Sequence, residues 1–264
     1  MLQLKQICKT FSPKTVNEHK ALQQIDLTIH KGDFVTVVGS NGAGKSTLFN
    51  VICGNFFPDQ GTILLDGKNI TWMAEHKRAS FIGRGFQDPM RGPAPNLTIE
   101  ENLALAYSRS KRGPLHFALN KKDTAMFQES LAQYKMGLED RMKTKVGLLS
   151  GGQRQVVTLL MCTLVPPKLL LLDEHTAALD PAASEKIMQI TKEIVARHQL
   201  TTMMITHNLN AALQTGNRTI MMDSGKLILD ISGKEREQLS LQDLLALYSS
   251  KSNKAFDNDR MLLT

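Results

Sequence analysis

The stretch Gly39-Ser40-Asn41-Gly42-Ala43-Gly44-Lys45-Ser46 follows the pattern G-x-x-x-x-G-K-[ST], and it constrains this chain more than any other segment. Its glycines let the backbone curl until successive N–H groups face one centre, and a helix that starts there adds the positive end of its dipole. Phosphate oxygens fit such a cradle. Lys45 is placed to reach β- and γ-phosphates, the Ser46 hydroxyl to face Mg²⁺, and Thr47 to support the α- and β-phosphates. Four constrained positions match by chance in roughly one chain in a hundred, so the flanks decide whether the pattern is meaningful. Phe34-Val35-Thr36-Val37-Val38 is a β-branched run that reads as a buried parallel strand, and Thr47 to Ile52 has helix-compatible spacing. Strand, glycine turn and helix stand in the required order, so the chain is predicted to hold a nucleoside triphosphate.

A chain of 264 residues can bury a full core as one large domain or two smaller lobes. With 42% hydrophobic and 22% charged residues it has an ordinary globular composition. No window approaches the 18 or more uninterrupted apolar residues of a membrane span, and Met1-Leu2-Gln3-Leu4-Lys5 enters strand-like sequence without the apolar stretch of a signal peptide. Cys8, Cys53 and Cys162 are far apart with no C-x-x-C pair, which argues against a zinc site or disulfide framework and for a reduced, cytosolic protein. The net charge of +7 suits nucleic acid, an anionic membrane surface or the nucleotide alike.

Alternating patterns at Leu2 to Ile7, Ile25 to Ile29 and Thr62 to Asp66 predict a β-rich first part, with a hairpin turn at Asp66-Gly67-Lys68. Thr98-Ile99-Glu100-Glu101 is a capping box opening a helix to about Ser108. The pattern to Ser150 stays helical and polar, and the basic run Ser108-Arg109-Ser110-Lys111-Arg112 reads as a solvated connection or a contact for lipid headgroups. Leu169 to Leu172 then reads as a buried strand. Asp180-Pro181 caps a helix to about His198, Thr201 to Thr206 is a strand, and Ile220 to Met222 pairs with Leu227 to Leu229 across Asp223-Ser224-Gly225. Ser240 to Asp243 caps a terminal helix, followed by a polar tail. The expected division is a first core part at 1–88, a helical lobe at 89–165, a second core part at 166–249 and a tail at 250–264.

A second motif is more selective: Leu149-Ser150-Gly151-Gly152-Gln153 is a loop feeding a helix and is expected by chance on the order of once in several thousand such chains. A serine hydroxyl and glycine N–H groups at a helix start form another phosphate-binding surface. Over essentially its whole length the chain now resembles the ATP-binding-cassette ATPases, the motor subunits of ABC transporters. That resemblance implies an α/β P-loop NTPase core with an N-terminal antiparallel β subdomain and an inserted α-helical subdomain. Gln87 lies at the position of the family's Q-loop, which looks toward Mg²⁺ and the attacking water. Leu169-Leu170-Leu171-Leu172-Asp173-Glu174 is similar to the Walker B strand, Ala178-Leu179-Asp180 to the D-loop, His207 to the switch histidine, and Phe11 occupies the place of the adenine-stacking aromatic.

The chemistry asks for these residue types independently of the resemblance. Phosphoryl transfer to water needs charge neutralisation, a metal bridging phosphates and an oriented nucleophile. Asp173 at a strand end can hold Mg²⁺; Glu174, turned to the other side, can accept the proton of the attacking water; His207 can hydrogen-bond the γ-phosphate. The resemblance further implies that Ser150, Gly151, Gly152 and Gln153 close over ATP held by the loop of a second ATPase subunit. It implies too that a dimer drives an integral membrane permease from the cytoplasmic face of the membrane, with an extracytoplasmic solute-binding protein in the same system and no nucleic acid. His175 stands where many relatives carry proline, and the segment Ser12 to His19 is an addition next to Phe11. His175, Phe86-Gln87-Asp88-Pro89-Met90 and Leu97 to Leu103 together look like bacterial importers of small solutes, amino acids among them. A cassette ATPase acting on nucleic acid or ribosomes is the alternative reading.

Overall fold

The computed structural model describes residues 1–88, 90–108 and 121–252. In chain order the elements are β1 (Leu2–Phe11), β2 (His19–Ile29), β3 (Phe34–Val38), α1 (Lys45–Cys53), β4 (Gln60–Leu65), β5 (Lys68–Asn69) and α2 (Glu75–Arg78). They are followed by β6 (Ile82–Gly85), α3 (Ile99–Ser108), α4 (Lys121–Ala132), α5 (Gly151–Thr163), β7 (Leu169–Asp173) and α6 (Pro181–His198). The last are β8 (Thr202–Ile205), α7 (Leu209–Gln214), β9 (Arg218–Asp223), β10 (Lys226–Ser232), α8 (Gly233–Glu237) and α9 (Leu241–Ser252). The chain forms two compact units, Met1–Ala79 with Thr201–Thr264 and Ser80–Leu200.

The first unit contains two sheets. One is antiparallel with strand order β2-β1-β4-β5, and its alternating apolar residues Leu2, Leu4, Ile7, Leu27, Ile29 and Ile63 are buried. The hairpin turn falls at Asp66-Gly67, both at positive φ (49° and 75°), and Leu65 pairs with Lys68 across it. In the other sheet β3 lies parallel to β8 and to β9, while β9 and β10 form an antiparallel hairpin. Every residue of β3 and β8 is buried, which is why their sequences run apolar without alternation. The terminal helix α9 places Leu244 and Tyr248 in a core cluster with Val38, Leu209, Ala212 and Met221.

The second unit pairs β6 with β7 in parallel, Gly85 opposite Leu172, and packs α5 against β6. All five residues of β7 are buried. The capping boxes read from the sequence form: Thr98 Oγ1 and Glu101 exchange bonds at the start of α3, and Asp180 accepts from Ala183 N–H with Pro181 in the first turn of α6. The terminal helix in the first unit runs to Ser252, three residues into the stretch read as tail. The basic residues 109–112 and the tail from 253 lie outside the described residues.

Candidate nucleotide site

Each unit carries one group of the residues singled out above, and each group sits where parallel strands end, the usual place for ligand-facing loops in α/β sheets. In the first unit Val37 pairs with Ile205, so β3 and β8 finish side by side. The phosphate loop leaves β3 and the turn with His207 leaves β8. Thr206 N–H donates to Val37 C=O, Asn208 N–H to Thr206 Oγ1, and the Asn208 carboxamide oxygen caps α7 by accepting from Ala211 N–H. His207 is therefore held beside the strand that feeds the loop.

The loop's backbone demands its glycines. Gly39 has φ 149° and Gly44 φ 99°; an added Cβ would collide with the Met222 carbonyl oxygen in the first case and the Ala21 carbonyl oxygen in the second. Gly44 is also the N-cap of α1 and has no side chain to compete with an anion at the start of the helix. Ala43 N–H turns back to Ser40 C=O, and Gly225 N–H anchors Ala43 C=O to the β9–β10 turn. Lys45 is only 5% exposed, and its ammonium donates to the Gly39 and Ser40 carbonyls at 2.6 and 3.0 Å. Ser46 is exposed and Thr47 half-buried. Beside Ser40, Asn41, Gly42 and Ala43 lies a cleft of about 380 Å³ whose other lining residues are His19, Lys20, Gln23, Asp223 and Ser224. Phe11, at the end of β1, packs edge-on against Phe56 with ring centroids 5.2 Å apart.

The far end of α1 is fixed by Arg78, which the sequence reading missed. It is fully buried; Nε donates to Met73 C=O, Nη1 to Val51 and Ile52 C=O in the last turn of α1, and Nη2 to Thr71 C=O, all at 2.7 to 2.9 Å. A guanidinium with a forked donor set can satisfy several helix-end carbonyls that a lysine cannot. Arg236 treats α7 likewise, donating to the carbonyls of Ala212, Leu213 and Thr215. The helices that follow the phosphate loop and His207 thus share one anchoring device. A lone arginine in mixed sequence carries no signal of that role.

In the second unit, β6 leads to the exposed Gln87 and β7 ends at Asp173, with Glu174 following. Asp173 is 9% exposed. Glu174 has φ 45°, a left-handed backbone that is strained for glutamate, and its C=O accepts from Ala177 N–H to close a turn. Such strain collects at functional sites. His175 is buried, and its Nε2 lies 3.0 Å from Thr191 Oγ1 on α6. Because that hydroxyl gives its one proton to Ile187 C=O, it must accept from His175, so the ring is the neutral Nε2–H tautomer. Burial lowers its pKa to about 4. His175 therefore fastens the residue after Glu174 to α6. Proline, lacking this side chain and biasing the preceding residue toward extended backbone, could not do so.

Ser150 is the N-cap of α5 in a full capping box: its Oγ accepts from Gln153 N–H and the Gln153 carboxamide oxygen accepts from Ser150 N–H, each at 3.3 Å. Gln153 also donates to Met136 C=O. Gly151 faces Leu179 of the Ala178-Leu179-Asp180 segment, leaving no ready room for a Cβ, and Gly152 is buried. Asp180 is engaged as the cap of α6.

Among the described residues no cluster of three His, Cys, Asp or Glu side chains could cage a metal. The candidate metal-facing groups, Ser46, Gln87 and Asp173, offer only oxygen donors. Oxygen donors are the kind that Mg²⁺ takes, with waters and substrate phosphates completing its shell.

An α/β architecture with a phosphate loop between strand and helix, a paired antiparallel β sheet and a helical insertion defines a P-loop ATPase of the cassette class. Residues 22–177 match the ABC transporter family. The chain is 42% identical over 245 residues to the tyrosine transport ATP-binding protein of Clostridioides difficile, covering 93% of this chain and 97% of that protein. It is 30% identical to the xylose/arabinose import ATP-binding protein XylG of Sulfolobus acidocaldarius, covering 95% and 94%. The dimeric structure of an ATP-binding cassette in a post-hydrolysis state, bound to ADP and Pi, superposes with a TM-score of 0.75 at 30% identity, over 88% of this chain and 98% of that one. The chain belongs to the ABC transporter ATPases, and is an ATP-hydrolysing transport ATPase with that family's fold.

Proposed function

We propose that this chain is the ATP-hydrolysing subunit of a bacterial importer for an amino acid, acting as an ATP-closed dimer on a separate membrane permease. It would work peripherally, at the cytoplasmic face of the cell membrane, with a solute-binding protein in the same system. The observation that carries the reading is that one chain has a glycine loop at Gly39–Ser46 opening α1 and a separate capped helix start at Ser150, with one phosphate-loop lysine, Lys45; we read both as phosphate-binding surfaces. A second copy accounts for both: each loop meets the Ser150, Gly151, Gly152 and Gln153 of its partner. Near-complete coverage of a protein named for tyrosine transport supports the amino-acid assignment. No helix among the described residues is long and apolar enough to cross a membrane, which fits a separate permease. Within the chain, 89–165 serves as the helical lobe between two core parts.

In this reading the α1 amides and Lys45 neutralise the phosphates, Thr47 supports them, and Phe11, oriented by Phe56, stacks on adenine. Ser46, Asp173 and Gln87 would hold Mg²⁺, which supplies charge neutralisation across the β- and γ-phosphates when bound. Glu174 accepts the proton of the attacking water, and its constrained backbone limits the orientations its carboxylate can take. His207 hydrogen-bonds the γ-phosphate, and Asp180 lies in the segment that joins Glu174 to α6 and faces Gly151 through Leu179.

Glu174→Gln is expected to lower MgATP turnover by at least about a hundred-fold while gel filtration shows an ATP-stabilised dimer. Unchanged turnover rejects the role given to Glu174, and a monomer with ATP rejects the composite site. For the solute, complexes pulled from membranes with the tagged chain would supply the solute-binding subunit. Failure of that subunit to bind any amino acid rejects the amino-acid assignment alone.

A further inference from the structure

The strand that leads to Gln87 contains one cation in an otherwise apolar and glycine sequence, Ile82-Gly83-Arg84-Gly85-Phe86. The pairing of Gly85 with Leu172 brings Arg84 to the end of β7. There its Nη2 lies 3.9 Å from Asp173 Oδ2, with both side chains nearly buried at 12% and 13% exposure. The guanidinium carbon sits 4.6 Å from the centre of the Phe86 ring, within cation–π range. Its own C=O accepts from the Cys162 thiol on α5, and an added Cβ at either flanking glycine would crowd α5 or β7. The arginine is therefore held from three sides, by its backbone, the aromatic ring and the carboxylate.

The guanidinium is a planar, delocalised cation. At nearly buried positions salt and water screen it weakly. We propose that Arg84 is a positioning residue that sets the metal demand of the site. Its fixed charge orients the Asp173 carboxylate before a divalent cation arrives and opposes the second positive charge that then shares that carboxylate. Stacking on Phe86 keeps the guanidinium in place and ties the same charge to the turn that carries Gln87. The inference rests on reading Asp173 as the Mg²⁺-facing carboxylate.

The test uses the full chain with a fluorescent ATP analogue, titrated with Mg²⁺ without turnover. Removing the charge in Arg84→Met or Arg84→Gln is expected to lower the half-saturating Mg²⁺ by at least roughly three- to ten-fold, the figure for a unit charge acting on a divalent ion under full aqueous screening, which burial can only enlarge. Arg84→Lys keeps the charge but not the planar stack on Phe86, and its midpoint should fall between the parent and the neutral variants. A merely structural arginine would change the melting temperature and leave the Mg²⁺ midpoint where it was. An unchanged or raised midpoint in a folded neutral variant overturns the proposal. Asp173→Asn is the separate control: if it leaves the Mg²⁺ dependence intact, the reading of Asp173 fails; if it removes it while the Arg84 variants match the parent, only the role of Arg84 fails.

Discussion

Replacing Arg78 by methionine keeps much of the side-chain volume and removes the charge and every donor. Four carbonyls, those of Val51, Ile52, Thr71 and Met73, lose partners at 2.7 to 2.9 Å in a site where Arg78 is 0% exposed. Each stranded carbonyl costs about 1–3 kcal/mol, and losing a cation at a helix end costs up to about 2 kcal/mol more. Burial itself works against the arginine, lowering its pKa by desolvation, so part of that sum is recovered. The net loss is expected at about 3–5 kcal/mol, at the low end of that sum because the arginine's own desolvation is recovered and the carbonyls can relax. At about 2–4 °C per kcal/mol for a chain of this size, calorimetry should find the transition lowered by roughly 10 °C. Arg78→Lys, with a compact ammonium that cannot span the four acceptors, should fall between. ATP binding should weaken in parallel, because the helix that loosens at Cys53 begins at Lys45. A methionine variant within about 1 kcal/mol of the parent would refute the anchoring role.

Gly39→Ala must relieve a collision with the Met222 carbonyl at a φ of 149°, so isothermal titration should show ATP binding largely lost, with at least about 2 kcal/mol of destabilisation; retained affinity would show that the loop is not held by β9. His175 is neutral in the fold with a pKa near 4, whereas an unfolded histidine titrates near 6.5. Between these values the unfolded chain binds the extra proton. Stability from this group is complete above about pH 6.5 and is lost as pH falls to about 4, by about 3 kcal/mol. Denaturant midpoints against pH should steepen across that window, and His175→Gln should flatten the dependence. Ser150→Ala removes the α5 cap and should cost about 1 kcal/mol by urea denaturation.

Local signals made much of the fold and site legible. The glycines at 39, 42 and 44, the capping pairs Thr98/Glu101 and Ser150/Gln153, and the apolar runs at β3 and β7 each declare their geometry within a few residues, because turn sterics, helix ends and burial on both strand faces are local demands. The helix through Ser252 outlasted the polar sequence expected to end it, its burial being contributed by Leu244 and Tyr248 upstream. Long-range partners left no such trace. Arg78 and Arg236 look like surface cations in sequence yet are buried on carbonyls distant along the chain. Arg84 belongs with them: its carboxylate partner Asp173 lies far along the chain, and the sequence reading gave it no role.

By itself the sequence determined that the chain binds a nucleoside triphosphate and belongs among the cassette ATPases, because the phosphate loop, Leu149 to Gln153 and Asp173-Glu174 are contiguous motifs whose residue types are dictated by the chemistry. Tertiary structure alone decided which groups steady those motifs. Asp173 meets Arg84, His175 is pinned neutral on Thr191, and α1 ends on Arg78. Strand register and helix packing bring together residues far apart in the chain, and burial then turns a nearby charge or donor into a strong one.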